Sequence, residues 1–564
     1  MDTPMPLEND FEFTKGDKQF IGWHMVIAIF ALAFGSLFGP LQAMQHAGWF
    51  DYAWLQPLFQ SYYQGLTLHG VLNALVWTTF FIVGFFNLTI SYGLKMRQRY
   101  PMLNLVGFII MVVGLVTTAI PILLDEASVL FTFYPPLLAD PLFYIGLTLV
   151  VVGSWVEGWG MFATLFVWRK ANPGQHTPLM ALASVITMAL WQVATIGIAV
   201  EMLTMLIPAS LSLWDINIVA GMDPQLARTY FWFTGHPLVY FWLLPAYVSW
   251  YTMLPKQVGG KLFSEPLARL SFWLFLLLSV PLGFHHQYLD PGVPIVWKYI
   301  HGLLTYSVFL PSMLTAFTVI ASLEQAGRKK GGPGLVKWLM HLNWWNPSVS
   351  AQLLAGILFM FGGISGLTNA SYNLNLVVHN TTWVPGHFHL TVATAVTLSF
   401  IGISYWLVPY LTGKRLWQPR LAVIQTWLWF VGMAIFSNAM HVLGLLGAPR
   451  RVPLGIAPYV PPEWAGRLIQ VGIGGIILFF AVYIYVLIMV MTSLSKQKVT
   501  QSDEELATIP MADTNQPVAL TPRWLDNWTP WLVGTIALIL IAYGPSLFVQ
   551  ISNMQFIPGR PGLW

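Results

Sequence analysis

Of 564 residues, 56% are hydrophobic and only 9% are charged, against roughly 25% charged in ordinary soluble proteins. That excludes a soluble multidomain chain. The net charge of +4 comes from cations in short loops between apolar stretches, where they orient a membrane protein rather than bind nucleic acid. The absence of cysteine excludes disulfides, thiolate ligands and iron–sulfur clusters, so a bound metal must be held by His, Asp, Glu, Met or Tyr.

Residues 1–19 are polar and no cleavable signal precedes the first apolar run. Stretches long enough to span a bilayer follow near 21–46, 65–94, 102–124, 140–168, 178–207, 226–254 and 267–288. The remainder lie near 296–323, 346–371, 382–412, 421–447, 467–495 and 528–552. The expectation is an all-α polytopic protein of about 13 transmembrane helices, forming a single domain over 1–564 with one polar cytoplasmic linker at about 496–525. Placing the N-terminus inside and the C-terminus outside puts every Lys and Arg on the inner side except Arg228, Lys298, Arg450, Arg451, Arg467 and Arg560. This agrees with the positive-inside rule.

That orientation gives the histidines a depth. His69 lies about one turn into the second predicted helix, and His236 about three turns into the sixth. His285 and His286 fall in the last turn of the seventh, and His387 and His389 lie early in the tenth. All six share the outer half of the membrane, where ionisable side chains are costly and mark function. Taken singly, each is as readily an interfacial or hydrogen-bonded residue. Together, with no thiol available, they point to imidazole ligation of iron or copper. His387 and His389 point about 200° apart on a helix and suit two cofactors on opposite faces. His236 and Tyr240 share one face, an arrangement equally open to simple aromatic packing.

Tyr240, Tyr247 and Tyr251 form a stripe running inward along the sixth helix, and Ser312, Thr315 and Thr318 offer hydroxyls on the eighth. These groups suit either proton transfer or interhelical hydrogen bonding.

The segments Gly235-His-Pro-Leu-Val-Tyr240, Gly283-Phe-His-His286 and Val384-Pro-Gly-His-Phe-His389, with Leu66-Thr-Leu-His-Gly70, resemble haem–copper oxidase subunit I over about residues 20–550. The B-type, or ba-type, cytochrome c oxidase branch is the most similar. The resemblance implies that His69 and His389 are axial ligands of a low-spin b-type haem. His387 would be the axial ligand of a high-spin haem of unspecified type, and His236, His285 and His286 would hold one copper. Tyr240 would be catalytic and covalently joined to His236, while Arg450 and Arg451 would bind haem propionates, with His379 and Asn375 in the same region.

Tyr247, Tyr251, Ser312 and Thr315 would then form the proton input path. Leu238 stands where the A-type branch has a glutamate, and Asn375 where an acid is expected. The implied activity is reduction of O2 to water by a terminal respiratory oxidase with coupled proton uptake and pumping, in a bacterial or archaeal plasma membrane. Electrons would come from cytochrome c or quinol, and a subunit II would carry any dinuclear copper site, because this chain has no cysteine. Two alternatives stand beside this reading. A nitric oxide reductase of the same superfamily would need a carboxylate at its iron, and Glu201, read here as a residue near a helix mouth, is the candidate. A proton-conducting transporter would be colourless.

Overall fold

The computed structural model describes residues 11–219 and 221–561; Ala220 and the two ends of the expected 1–564 domain lie outside them. The chain is almost entirely helical, with a single two-residue strand pair, Leu137–Leu138 and Arg560–Pro561, among the described residues. Among the described residues eleven helices are long and apolar enough to cross a membrane, which makes this an integral membrane protein of the all-α polytopic class.

In chain order the helices are α1 (Lys15–His46), α2 (Tyr62–Leu94), α3 (Pro101–Leu123), α4 (Pro141–Ala171), α5 (Leu179–Trp214), α6 (Pro224–Thr252) and α7 (Glu265–Ser279). Then come α8 (Ile295–Lys329), α9 (Pro347–Ala370), α10 (Trp383–Thr412), α11 (Pro419–Leu445), α12 (Pro462–Leu494) and α13 (Trp528–Ser552). Two of these, α6 and α7, fall outside the eleven. α6 carries several polar and aromatic side chains along its 29 residues, and α7 has only 15 residues.

The starts of several helices are written locally. Thr14 and Asp17 form a reciprocal capping box at α1, and Asp140, Asp223 and Asn346 cap α4, α6 and α9, each followed by a proline in the first turn. Packing of α3 on α4 relies on small residues. A Cβ at Gly114 would lie 2.6 Å from the Gly146 carbonyl oxygen, and one at Gly153 would lie 2.5 Å from that of Gly107, so the two backbones approach as closely as membrane helices allow.

Three helices contain a widened π turn. These are Val71–Trp77 in α2, Met202–Leu206 in α5 and Thr391–Val396 in α10. Each begins one or two residues after a titratable group, namely partly buried His69, fully buried Glu201 and partly buried His389. Such bulges shift the register of the following helix and recur at functional sites.

The structure corrects two expectations. His285 and His286 are not in the last turn of α7, which ends at Ser279; they ride on a separate 3-10 turn, Gly283–Gln287. Pro281 cannot donate to the helical ladder, so the helix stops before it. Glu201 is not at a helix mouth: it is fully buried, with neither carboxyl oxygen hydrogen-bonded.

The 496–525 segment packs against the bundle rather than hanging from it. Arg415 pairs with Asp503 at 2.9 Å, and the Ala512 and Leu262 amides donate to the Thr252 and Asp513 carbonyls. Just beyond it, Asp526 reaches a buried guanidinium. Arg269 is fully buried, donating from Nε to Glu265 at 3.0 Å and from NH1 to Asp526 at 2.9 Å. Asp526 also meets His176. Removing one member strands the other buried charges, a loss of about 3–5 kcal/mol. Arg269→Met is therefore expected to lower the thermal-denaturation midpoint of the detergent-purified protein clearly, whereas Arg328→Met, which breaks an exposed pair with Glu324, should leave it nearly unchanged.

Candidate metal and cofactor centre

Two histidine arrangements lie side by side. In the first, ligand nitrogens of His236, His285 and His286 lie within 4.8 Å of one another. α6 supplies His236, and the 3-10 turn supplies the other two. That turn is held from two sides: the Gly283 amide donates to the Tyr543 hydroxyl at 2.9 Å and the Phe284 amide to His301 Nδ1 at 3.2 Å. His285 Nδ1 donates to the Leu282 carbonyl at 2.6 Å, with Thr305 Oγ1 3.0 Å away, which leaves Nε2 for a ligand. His286 stacks on Trp232 at 3.7 Å and 5°. Its Nε2 is 3.1 Å from His236 Nδ1. Three imidazoles with converging nitrogens, two buried and His286 partly so, fit a small cation, and imidazole suits copper.

On the far edge of the His236 ring, Nε2 lies 3.2 Å from the Tyr240 hydroxyl. The i,i+4 spacing thus brings these two side chains together. Tyr247 follows, with Ser312 in reach of its hydroxyl, and Tyr251 donates to Thr315 at 2.8 Å and lies 3.3 Å from Ser271. All four residues of the expected proton path therefore meet in two tyrosine–hydroxyl pairs. Thr318 is buried with no partner for its hydroxyl.

In the second arrangement the rings of His69 and His389 face each other, centroids 6.3 Å apart and planes within 10°. His69 Nδ1 is bonded to the Gly35 carbonyl at 3.1 Å and His389 Nδ1 to the Pro385 carbonyl at 2.7 Å, so each ring keeps Nε2 free. Room for His69 depends on Gly39, whose Cβ would sit 2.6 Å from the imidazole. A largely apolar cavity of about 270 Å³ separates the two rings, and Arg450 and Arg451 also line it. A flat ligand with anionic edges fits: parallel imidazoles clasp its faces, and guanidinium forks suit carboxylates. His387, two residues before His389, turns the other way, its Nδ1 2.9 Å from Ser365 Oγ and 3.1 Å from the Gly362 carbonyl.

The arginines are crowded. Arg228 and Arg451 both lie over the Tyr134 ring, Arg228 pairs with Asp290 at 2.9 Å, and Arg450 Nε is buried without an acceptor. Burial, and then the neighbouring Arg451, push the Arg450 guanidinium down to about 9, a position that an anion would relieve. His379 is pushed down to about 4 by burial and by Arg450, so it is neutral at pH 7. Its Nδ1 donates to Asn375 Oδ1 at 2.8 Å, and Asn375 is fixed by the Asn369 carbonyl. These two residues stand beside Arg450 rather than among those lining the His69–His389 cavity. Sequence reasoning missed Trp232, Thr305, Ser365, Ser271 and Tyr134, whose parts depend on contacts between distant helices. Arg228 carried a signal as a cation on the otherwise cation-poor side.

A helical membrane protein with a bis-imidazole slot beside a three-imidazole cluster is a metalloprotein built for electron transfer. Residues 19–477 match the family described as cytochrome c and quinol oxidase polypeptide I. The chain is 43% identical to cytochrome c oxidase subunit 1 of Thermus thermophilus, over 96% of each chain. It is 28% identical to the protein of the same name from Synechocystis, over 71% of each. A solved haem–copper terminal oxidase dimer superposes with a TM-score of 0.91 at 38% identity, covering 98% of this chain and 96% of that one. The chain belongs to the haem–copper oxidase subunit I family, and haem and copper are its cofactors.

Two substitutions separate the two arrangements. His236→Ala is expected to lower the copper content found by metal analysis with haem content retained. His69→Ala should lower the haem content and leave the copper in place.

Proposed function

We propose that this chain is the catalytic subunit of a B-type terminal oxidase that reduces O2 to water and couples the reaction to proton uptake and pumping across the cell membrane. The observation that carries the reading is the convergence of His236, His285 and His286 with the Tyr240 hydroxyl at the far edge of the His236 ring.

His69 and His389 would hold a low-spin b-type haem, His387 a second, high-spin haem, and His236, His285 and His286 one copper. When bound, these groups supply redox-active metals, one coordinatively saturated and suited to relaying electrons, the others open to oxygen. The protein's part is positioning and protons. Backbone carbonyls fix His69, His285, His387 and His389, so that one nitrogen of each is presented without rotamer search. Trp232 holds the His286 plane. Tyr240 carries a dissociable proton next to the copper ligand His236, together with an oxidisable ring. Protons would reach it from the 496–525 side through Thr315–Tyr251 and Ser312–Tyr247, with waters bridging the intervals.

Arg450 and Arg451 would pair with haem carboxylates, and neutral His379 would serve there as a hydrogen-bonding group. Electrons would come from cytochrome c or quinol by way of subunit II, carrying a dinuclear copper site in the cytochrome c case.

The nitric oxide reductase reading requires a carboxylate at the non-haem metal. Glu201 is buried, yet it is not part of the three-histidine cluster. Metal analysis of the purified complex is expected to give one copper per two haems, and Glu201→Gln should retain that ratio. Two haems with non-haem iron and no copper would overturn the oxidase assignment. Tyr240→Phe should lower oxygen-reducing turnover by about 10²-fold or more, the scale of a lost proton-transfer group, with metal content unchanged. Tyr251→Phe should slow turnover by about tenfold, the cost of one hydrogen bond in the path, and leave the optical spectrum as it was.

A further inference from the structure

The His69–His389 cavity extends along α1 to a pair of polar side chains with no part in the site above. Gln42, Ala43 and His46 follow Gly39 by three, four and seven residues and share its face; all four line the cavity. His46 is 5% exposed, and its Nδ1 donates to the Gln42 carbonyl at 2.8 Å. The remaining nitrogen, Nε2, can then donate only when the ring is protonated. Gln42 Nε2 is buried beside the Tyr52 hydroxyl, and neither atom makes a hydrogen bond of normal geometry. A buried donor of this kind is costly unless a ligand satisfies it.

The position along the cavity identifies the ligand's edge. His46 stands about 10 Å from Gly39 along the helix axis, beyond the level of the His69 ring. The loop carrying Arg450 and Arg451 packs on this same end of α1: a Cβ at Gly455 would fall 1.8 Å from the Gln45 carbonyl oxygen, and one at Gly48 3.5 Å from that of Gly455. Both arginines line the cavity as well. The Tyr62 ring faces His46, centroid 6.3 Å away, Tyr52 stands near Gln42, and the two guanidiniums line the same cavity. The end of the cavity is thus rich in donors.

We propose that Gln42 and His46 donate hydrogen bonds to a carboxylate side chain of the haem held between His69 and His389, as a second anchor beside Arg450 and Arg451. The inference rests on the assignment of this cavity to the low-spin haem. A carboxylate satisfies the Gln42 amide and favours the His46 imidazolium. Reducing the haem iron adds one electron of negative charge nearby and favours protonation of His46 further. Reduction is thereby linked to uptake of one proton at Nε2.

Potentiometric titration of the low-spin haem in the purified oxidase complex, from about pH 5 to 8 where histidine titrates, tests this. His46→Phe is expected to retain the low-spin absorbance, shift the midpoint potential to more negative values and flatten its dependence on pH. His46→Gln keeps a donor without a titrating group, so it should restore most of the shift but not the pH dependence. Gln42→Leu should shift the potential negative and keep the pH dependence. Should His46→Phe not accumulate, the other two variants carry the test. Potentials that titrate as in the wild type in these variants would overturn the proposal while leaving the haem assignment standing. A wild-type complex with no bis-histidine low-spin signal would overturn that assignment, and the inference with it.

Discussion

The site depends on one recurring hydrogen bond, between the Nδ1 of a buried histidine and a backbone carbonyl. Gly35, Leu282, Gly362 and Pro385 supply that carbonyl to His69, His285, His387 and His389. In an apolar interior a free imidazole N–H is expensive, and satisfying it also fixes the tautomer and the ring's direction. One interaction therefore meets the desolvation cost and leaves Nε2 aimed at a ligand. His236 departs from the pattern, with Nδ1 toward His286 and Nε2 toward Tyr240. It is the histidine that connects the three-imidazole cluster to the Tyr240 hydroxyl.

Regular helices alone would not bring these rings together. The chain departs from α geometry at the places where ligands are needed: a 3-10 turn carries His285 and His286, and π turns follow His69 and His389. Each departure rotates or displaces the next stretch of helix. Groups that are neighbours in sequence can then face different ways, as His387 and His389 do toward Ser365 and His69 respectively. The third π turn, after Glu201, accompanies a buried carboxyl with no protein partner, a further departure from regularity that the electron-transfer scheme leaves unused.

Periodicity and hydropathy made the helical membrane class legible, because twenty-residue apolar runs have no other stable solution in a bilayer. They read α6 and α7 as ordinary spans, although α6 carries polar and aromatic side chains and α7 has only 15 residues. The histidines were visible because charge-capable side chains are so sparse here, and Tyr240 because i,i+4 spacing is local. What stayed hidden depends on tertiary placement. Ser365, Thr305 and Ser271 look like any helix hydroxyl until another helix is set against them. The break before His285 was signalled by Pro281, yet its product, a separate turn pinned by Tyr543 and His301, was not. Glu201 was misjudged because depth read from helix ends does not report what packs around a side chain.

The Arg269 cluster bears on how the protein is made. Glu265 is in reach as soon as α7 forms, but Asp526 lies 257 residues beyond Arg269, after five more helices. Until the ribosome has delivered that residue, the guanidinium has half its final complement of carboxylates, and the surface that α13 will cover stays open. α13 thus closes this face of the bundle after the twelve helices before it. The cavity between His69 and His389 is complete earlier, since Gly475, Leu478 and Val482 of α12 supply the latest part of its wall to be made.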